Sequence, residues 1–521
     1  MSKARSGISA TSLITEVARS SSPLHRFGRD CYDSSGGEKL EQIQVRQRGT
    51  VMTQQGNGIA ERSPSRGVLA GERSPRTQVL KHNLRVSQAD AASFGVMIGL
   101  GETYLPLFVL TVGLGEVMSG LVASVPVLLG GALQMISPRA VRLLGSHKRW
   151  VLCCGALQAL SFLPLIVAAL AGHIPGWVAM VVASSYWAGN LGTGPAWNVW
   201  IGTLIPRAIR AHFFAKRTRL QQLTVLAGFL GGGIALQLGQ KYDLQLGTNN
   251  EHTLQVFTVL FGLAFLCRAV SISFLASQSE PLPLLPDMRR LSPLQQLRQY
   301  RHSAGGKLLA YIVFVQFGIW ISGPYFTPYM REKLGFTYLD YALLIGFSFV
   351  SKILALPLCG RLAKRLGARR LLTLGGIGII PLAGMWSVSD SYVWLCGTQI
   401  LAGIAWAAYE LAFLLLFFES IPATERVSVL TLFNLLNSAA LAAGALSAGL
   451  FLHLAGEQRW AYEVLFVASS SWRLLALLLL WRVPEIRVRA DEVSVQIEEL
   501  RASGEGIDGP ILSSLPDETN R

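Results

Sequence analysis

Apolar residues recur along this chain in runs of about 20 residues, the length that crosses the roughly 30 Å hydrocarbon core of a bilayer as a helix. Twelve such spans are predicted, numbered in order: 90–112, 116–137, 150–171, 176–205, 220–239, 255–277, 306–330, 339–359, 371–388, 392–420, 428–453 and 461–482. The longest interior polar segment, 278–305, follows span 6 and divides the spans six and six. The pattern predicts an all-α integral membrane protein.

The composition agrees with a membrane protein rather than a soluble one. Of the 521 residues, 51% are hydrophobic and 15% are charged, whereas a soluble domain carries about 25% charged residues. The net charge of +15 resides in tails and alternate connections, which membrane topology explains better than a nucleic-acid-binding surface does. The six cysteines show no disulfide framework and no metal-ligand spacing, so neither a metal nor another cofactor is expected.

The distribution of cations indicates the orientation. A cation at the bilayer centre costs about 3 kcal/mol, so the basic stretch 359–370 between two apolar runs is expected to be an aqueous loop. Connections on its side carry most of the Lys and Arg, and the opposite connections hold only Lys241, Arg331, Lys333 and Arg459. The positive-inside rule then puts both chain ends in the cytoplasm, in a plasma or bacterial inner membrane.

Five segments follow from these limits. They are a disordered cytoplasmic tail (1–85), a six-helix bundle (86–277), a cytoplasmic linker (278–305), a second six-helix bundle (306–483) and a cytoplasmic C-terminal tail (484–521). The N-terminal tail is rich in Ser, Arg, Gly and Gln. A disordered tail or an early start codon is favoured there over an organelle transit peptide.

The two halves repeat each other. Arg139, Arg142, Leu144 and Gly145 match Arg361, Lys364, Leu366 and Gly367 at an offset of 222 residues, and Gly101 and Pro106 match Gly323 and Pro328 at the same offset. Ile205, Pro206 and Arg210 recur as Ile421, Pro422 and Arg426, while Arg268 and Glu280 recur as Arg473 and Glu485. Matches in the same order on corresponding spans indicate a duplicated half, which is a transporter architecture.

At these residues the chain resembles the major facilitator superfamily of secondary transporters. Residues 360–370 are similar to its cytoplasmic loop signature between helices 2 and 3, or 8 and 9, although Lys364 stands where an acid is usual. The first-half copy has Pro138 in place of a glycine and Arg142 in place of the acid. Glu280 and Glu485 resemble the family's acidic motif after helices 6 and 12. The resemblance covers about residues 86–485, implies two pseudo-symmetric six-helix bundles and identifies no subfamily or substrate.

Ionisable residues at membrane depth are functional candidates by default. Glu102 lies halfway along span 1, and Gly101 and Pro106 predict a locally softened helix there. A proton or cation site is slightly favoured for Glu102 over a packing hydrogen bond to a neighbouring polar side chain. Lys352 and Glu410 lie at similar depth and can pair, either structurally or as a site for which substrate or a proton competes. Glu102 and Glu410 are therefore the proton-coupling candidates.

Arg268 and Arg473 are the repeat-related cations of spans 6 and 12. These spans resemble the family's outer support helices, so each arginine is expected to anchor its helix to backbone carbonyls or to a carboxylate of its own half. An anionic cargo would reverse that interpretation.

Amide and aromatic side chains can orient a ligand and form its walls. Together with the charged candidates, the predicted substrate-binding set is Glu102, Tyr104, Asn190, Asn198, Gln316, Trp320, Tyr325, Lys352, Gln399, Trp406, Tyr409 and Glu410. Further candidates are Tyr186, Trp197, Asn434 and Asn437. For any single aromatic, a lipid-facing or interfacial position is the commoner role, so the set on spans 1, 4, 7 and 10 counts for more than its members.

A cytoplasmic gate is the remaining hypothesis. Its candidates are Arg139, Arg210 and Glu280 and their copies Arg361, Arg426 and Glu485. They are expected to meet near the inner mouth of each half and to hold an outward-open state through charge pairs. The alternative is that these cations only enforce topology.

These features favour a secondary active transporter, a symporter or antiporter that moves a small solute by alternating access and acts as a monomer in the lipid bilayer. Protons are the expected coupling ion. An enzyme is not expected, and the sequence has no phosphate-cradling Gly-Lys-Ser/Thr motif for ATP. In span 5, Gly228 and Gly232 predict a tight helix crossing without the proline of the family's drug antiporters. The alternative is a transporter-like membrane sensor or lipid-handling protein without solute transport.

Overall fold

The computed structural model of this chain describes residues 75–280, 303–420 and 426–481. In these ranges a helical span occurs at each of the twelve apolar runs and in the same order. The span numbers are therefore kept below, with the observed bounds. The N-terminal tail to residue 74 and the C-terminal tail from residue 482 lie outside the described residues, as does most of the predicted linker.

The first half contains spans 1 to 6. Span 1 consists of Pro75–Leu100, a 3-10 turn at Glu102–Tyr104 and Leu105–Thr111, and span 2 is Glu116–Leu144. Span 3 consists of His147–Leu160 and Phe162–Ala171, and spans 4, 5 and 6 are Gly176–Leu204, Arg207–Leu246 and Glu251–Ser277. Span 1 thus begins ten residues before the predicted end of the N-terminal tail at residue 85.

The second half contains spans 7 to 12. Span 7 consists of Ala304–Ser322, a 3-10 turn at Gly323–Tyr325, Phe326–Pro328 and a π-helical turn at Tyr329–Lys333. Span 8 is Tyr338–Leu366, and span 9 consists of Ala368–Ile379, Pro381–Gly384 and a 3-10 turn at Met385–Ser387. Spans 10, 11 and 12 are Tyr392–Ser420, Arg426–Leu454 and Arg459–Leu480.

In the described residues, eleven helical segments are long and apolar enough to cross a membrane. Span 4 is the one outside that set, because glycines and polar residues dilute its hydropathy, yet it is 29 residues long and contains no charged residue. It packs against spans 2 and 3. Large apolar side chains such as Val167, Leu354 and Val393 are exposed on the outside of the bundle, as a lipid-facing surface requires. Twelve helices in two bundles fit these observations.

The prediction of an aqueous loop at residues 359–370 was wrong in its secondary structure. Helix Tyr338–Leu366 runs through most of the basic stretch, and Gly367 alone separates it from helix Ala368–Ile379. Its first-half counterpart behaves alike, since span 2 continues to Leu144 and ends at Gly145, whose φ of 64° is the left-handed conformation that glycine adopts at a helix end. Arg361, Lys364 and Arg365 therefore lie on the helical extension of span 8, while Arg369 and Arg370 lie in the first turn of span 9.

The sequence repeat is visible as a repeated helix break. Span 1 is interrupted by the turn at Glu102–Tyr104 and span 7 by the turn at Gly323–Tyr325, which confirms the softened helix predicted beside Gly101. Pro106 is the second residue of helix Leu105–Thr111, which follows the first break, and Pro328 is the third residue of helix Phe326–Pro328, which follows the second. Each break opens the backbone of its span where the two halves face each other.

Glycines allow the long spans to cross closely. A Cβ added to Gly99 would lie 2.3 Å from the carbonyl oxygen of Val225, and one added to Gly228 would lie 3.1 Å from that of Val96. Spans 1 and 5 thus touch backbone to backbone, as predicted from the span 5 glycines. Gly444 brings spans 7 and 11 together in the same way, because its Cβ would lie 2.5 Å from the Phe317 carbonyl oxygen. Between the halves, span 2 packs on span 11 and span 5 on span 8.

Candidate functional site

A cavity of about 380 Å³ lies between the two halves. Spans 1, 4, 7 and 10 supply most of its lining, and the broken segments of spans 1 and 7 form part of it through Gly101 and Gly323. Of the predicted substrate-binding set, eight residues line this cavity: Glu102, Asn190, Gln316, Trp320, Lys352, Gln399, Trp406 and Glu410. Tyr186, Trp197, Asn437, Arg268 and Arg473 line it as well.

Four members of the set lie elsewhere. The hydroxyl of Tyr104 donates to the carbonyl oxygen of Phe229, and that of Tyr325 donates to Ala445 at 2.7 Å, so both rings pack between spans. Tyr409 is fully buried beside Tyr311, and Asn198 is not among the cavity-lining residues. Asn434, a further candidate, donates instead to Gln134 across the two halves at 3.3 Å.

Glu102 accepts a hydrogen bond from a tyrosine hydroxyl in the cavity. The hydroxyl of Tyr186 on span 4 donates to Glu102 Oε2 at 2.5 Å, and Tyr186 packs edge-on against Phe162. The carboxyl is partly exposed while its tyrosine partner is buried. A carboxylate with one short phenol donor can accept a proton without losing its position, because the phenol oxygen can in turn accept from the carboxylic acid.

Asp90 is the centre of a buried charge network in the first half. Arg217 of span 5 donates from Nη2 to Asp90 Oδ2 at 2.8 Å and stacks on Trp197, with its guanidinium carbon 4.6 Å from the ring centroid. Ser271 donates to Asp90 Oδ1 at 2.7 Å and accepts from Arg268 Nη1 at 2.9 Å. Arg268 is thereby anchored to a carboxylate of its own half, as expected.

The second half contains the predicted Lys352–Glu410 pair. Lys352 Nζ of span 8 lies 2.5 Å from Glu410 Oε2 of span 10, which confirms that the two residues pair. The lysine side chain is 30% exposed and the glutamate side chain 11%, so the pair is open to the cavity from the lysine side. A ligand anion or a proton can therefore compete for one member while the other stays in place.

Arg473 has only neutral acceptors. Its Nη1 donates to the carbonyl oxygen of Ile379 at 2.9 Å, and its Nη2 donates to the hydroxyls of Ser322 and Ser469 at 3.1 and 2.9 Å. These bonds anchor span 12 to spans 7 and 9, as expected of a support helix. Among the described residues no carboxylate lies within 4 Å of it, and its Nε is buried without a hydrogen-bond partner.

Four further polar atoms of the lining have no hydrogen-bond partner among the described residues. They are Arg268 Nε, Gln316 Oε1, Trp320 Nε1 and Asn437 Oδ1, on residues that are 3%, 1%, 6% and 2% exposed. Gln316 and Trp320 are one helical turn apart on span 7 and so share a face. A buried polar atom without a partner costs about 1–3 kcal/mol, which a ligand in the cavity can recover.

The gate candidates do not form the expected cluster in the part of the chain that is described. Glu280 accepts from the Ser146 hydroxyl at 2.5 Å and from the backbone N–H groups of His147 and Lys148 at 2.8 and 3.2 Å, so it caps the start of span 3. Arg139 and Arg361 are exposed. The side chains of Arg210 and Arg426 and all of Glu485 lie outside the described residues.

Polar contacts join the halves at the opposite end of the bundle. Lys333 of span 7 lies 2.6 Å from Glu116 Oε1 of span 2, and the hydroxyl of Tyr462 donates to Glu116 Oε2. Thr111 and Tyr338 share a hydrogen bond of 2.9 Å, and Gln237 accepts from the Leu339 backbone at 3.2 Å. The two halves are thus held together at this end.

Sequence reasoning missed Asp90, Arg217, Glu116 and Lys333 as site residues. Asp90 was the first residue of a predicted span and Arg217 was counted among connection cations, because the helices of spans 1 and 5 extend well beyond their apolar parts. A charged residue on such a helical extension can be recognised as buried only when the helix that packs against it is known.

Comparison with known proteins gives a family for the second half and a fold for the whole. Residues 308–504 match the model of the Major Facilitator Superfamily. No curated protein matches the sequence significantly.

Solved structures share the fold at low sequence identity. The nucleoside transporter NupG is 13% identical with a TM-score of 0.58, and the match covers 78% of this chain and 100% of that one. A bacterial homologue of the human lysosomal transporter Spinster, inward-facing and unoccupied, is 16% identical with a TM-score of 0.53 and coverages of 83% and 99%. A bacterial homologue of the iron transporter ferroportin in an inward-facing state is 14% identical with a TM-score of 0.58 and coverages of 78% and 98%.

Proposed function

We propose that this chain is a membrane transporter of the Major Facilitator Superfamily rather than an enzyme, as the family match of residues 308–504 supports, and that it carries a small solute by alternating access of the central cavity. The observation that supports this most directly is the position of the cavity, between two repeated bundles and beside both broken spans. Rocking of one bundle against the other would expose such a cavity to each side in turn.

The closed end of the bundle supports an assignment of state. Glu116, Lys333 and Tyr462 join the halves at the end opposite the basic helix extensions. With the positive-inside orientation this is the outer end, and both termini are cytoplasmic. The conformation would then be one that is shut toward the outside, and the Glu116 contacts must break before solute enters from there.

Two acidic residues support proton coupling. Glu102 is held by the Tyr186 hydroxyl and Glu410 by Lys352, each facing the cavity. Protonation of Glu410 would release the Lys352 ammonium, and protonation of Glu102 would remove a negative charge from the facing half. Each event changes the charge of the cavity by one unit and so couples the proton to what the cavity binds.

The test is a pair of distance measurements by spin labelling of the full-length protein in lipid nanodiscs. One label pair is placed at Leu114 and Glu457, in outer connections of the two halves, and the other at Leu143 and Arg365, on the inner extensions. We expect Glu116→Gln to increase the population with a long outer distance and to shorten the inner distance in that same population.

A matched control is Asp340→Asn, because Asp340 caps the start of span 8 within its own half and makes no contact with the first half in the described contacts. This variant is expected to leave both distance distributions unchanged. Outer and inner distances that stay fixed in Glu116→Gln, at both pH 5 and pH 8, would contradict alternating access.

A further inference from the structure

The two repeat-related arginines differ in their surroundings. Arg268 is linked through Ser271 to Asp90, which also pairs with Arg217. Arg473 keeps the corresponding position on span 12 but has three neutral acceptors. The Nε–H of both arginines is buried without a hydrogen-bond partner among the described residues, so the difference lies in the groups around Nη1 and Nη2. Both arginines are buried, at 3% and 5% exposure, and both line the cavity.

The repeat identifies the residues of the second half that occupy the positions of Asp90, Arg217 and Ser271. At the 222-residue offset that relates spans 1 and 7, Asp90 corresponds to Ile312. At the 216-residue offset that relates Ile205 to Ile421, Arg217 corresponds to Phe433, and at the 205-residue offset that relates Arg268 to Arg473, Ser271 corresponds to Ala476. Ile312, Phe433 and Ala476 are all fully buried. The second half has therefore kept the cation and lost the groups that compensate it.

The charge count of the cavity gives the same result. The first half contributes Asp90, Glu102, Arg217 and Arg268, which balance. The second half contributes Glu410, Lys352 and Arg473, which leave one positive charge after the Lys352–Glu410 pair is formed. A buried guanidinium without a counter-ion is costly unless a partner of opposite charge reaches it.

The remaining lining indicates the rest of the ligand. Trp187, Trp320, Trp386 and Trp406, with Phe326 and Phe349, surround the cavity. Such walls favour a planar or apolar body, while the unpaired oxygens of Gln316 and Asn437 need hydrogen-bond donors.

We propose that the cavity takes an organic anion with an apolar body, and that Arg473 supplies the charge that this anion meets. The inference rests on the carrier function proposed above and names its substrate class. The anion would complete in the second half the compensation that Asp90 provides in the first.

The test compares carboxylates with their uncharged amides of nearly the same shape. Purified full-length protein is titrated with benzoate and benzamide, nicotinate and nicotinamide, phenylacetate and phenylacetamide, and hexanoate and hexanamide, and binding is measured by calorimetry. In at least one pair we expect the wild type to bind the carboxylate about tenfold more tightly than the amide, as a charge-assisted bidentate contact allows.

Arg473→Gln should reduce that ratio to near one, and Arg473→Lys should retain part of it, since a cation remains. Arg459→Gln is the matched control, because Arg459 lies on the same span 12, pairs with Asp390 and Glu463 at the surface and does not line the cavity, and it should leave the ratio of carboxylate to amide unchanged. If Arg473→Gln does not fold, Ser322→Asp serves instead, because the Ser322 hydroxyl accepts from Arg473 Nη2 and an internal carboxylate there should abolish the anion preference.

Equal binding of carboxylate and amide by the wild type in every pair would overturn the inference. A preference that survives Arg473→Gln but is lost in Lys352→Gln would overturn it as well. Uptake of the amides but not the carboxylates by proteoliposomes would support the carrier function and contradict the proposal that the substrate is an anion. Fixed inner and outer distances in the spin-label experiment would instead count against the carrier function itself.

Discussion

In the first half of the molecule the buried arginine of span 6 belongs to a network with a carboxylate, a serine and a second arginine. In the second half the hydrogen bonds of the span 12 arginine go, among the described residues, to one carbonyl and two hydroxyls. The two halves have the same helix order, the same broken first span and the same glycine crossing. Duplication has therefore preserved the packing while the charges diverged. In a symmetric fold, one half can thus line the cavity with charges that balance one another while the other half leaves a net charge.

The ion pairs that face the cavity show the same divergence. In the first half the pair is Asp90–Arg217 and joins spans 1 and 5. In the second half the pair is Lys352–Glu410 and joins spans 8 and 10, and the position that corresponds to Lys352 at the 222-residue offset is Gly130. Each half is thus stabilised across different spans, which allows the two halves to respond differently to protons or solutes.

The largest effect is expected from a variant that disrupts the charge network of the first half. Asp90→Asn removes the carboxylate that both Arg217 and Arg268 depend on, and leaving buried charges without a partner costs about 3–5 kcal/mol. We expect a correspondingly large loss in the free energy of unfolding, measured by denaturant titration in mixed micelles.

Asp390→Asn is the control for that variant, because Asp390 pairs with Arg459 at the surface, where the side chains are 42% and 49% exposed. An exposed pair contributes about 0–1 kcal/mol. Equal losses in the two variants would mean that the Asp90 network does not stabilise the first half.

A smaller effect tests what the halves share. Gly99→Ala and Gly444→Ala each place a methyl group within 2.5 Å of a carbonyl oxygen of the neighbouring span, at 2.3 and 2.5 Å. Overpacking of this kind costs about 1–3 kcal/mol, so both variants should melt at lower temperature by similar amounts. Gly231→Ala is the control, since nothing lies within 4 Å of a Cβ there. A loss confined to one half would show that the crossings are not equivalent.

The smallest effect concerns the open pair of the second half. A double-mutant cycle with Lys352→Gln, Glu410→Gln and the double variant should give a coupling energy of about 1 kcal/mol at pH 8, because water reaches the lysine. Thermal denaturation of the four proteins measures the coupling, and a coupling energy of zero would show that the pair does not form in the membrane protein.

Much of the candidate site was predictable from particular residues. Glu102 beside Gly101 and Pro106 marked the break of span 1, equal depth marked the Lys352–Glu410 pair, and the repeat marked Arg268 and Arg473. Tyr104, Tyr325 and Tyr409 were misplaced because an aromatic ring on an apolar span can face the cavity, a neighbouring span or lipid, and nothing in its sequence neighbourhood separates the three. Glu280 was assigned to a gate because its role as a helix cap needed the position of Ser146.

The sequence by itself determined the number and order of the spans, the division into two repeated halves and the depth of Glu102, Lys352 and Glu410, since these depend on length, apolar runs and offsets along one chain. Only the tertiary structure decided which charges meet: Asp90 with Arg217, Glu116 with Lys333, and Arg473 with no carboxylate in the described residues. The physical reason is that the lipid and the protein interior are both apolar. The hydrophobic pattern of a membrane helix therefore fixes its depth but not which of its faces turns toward its neighbours.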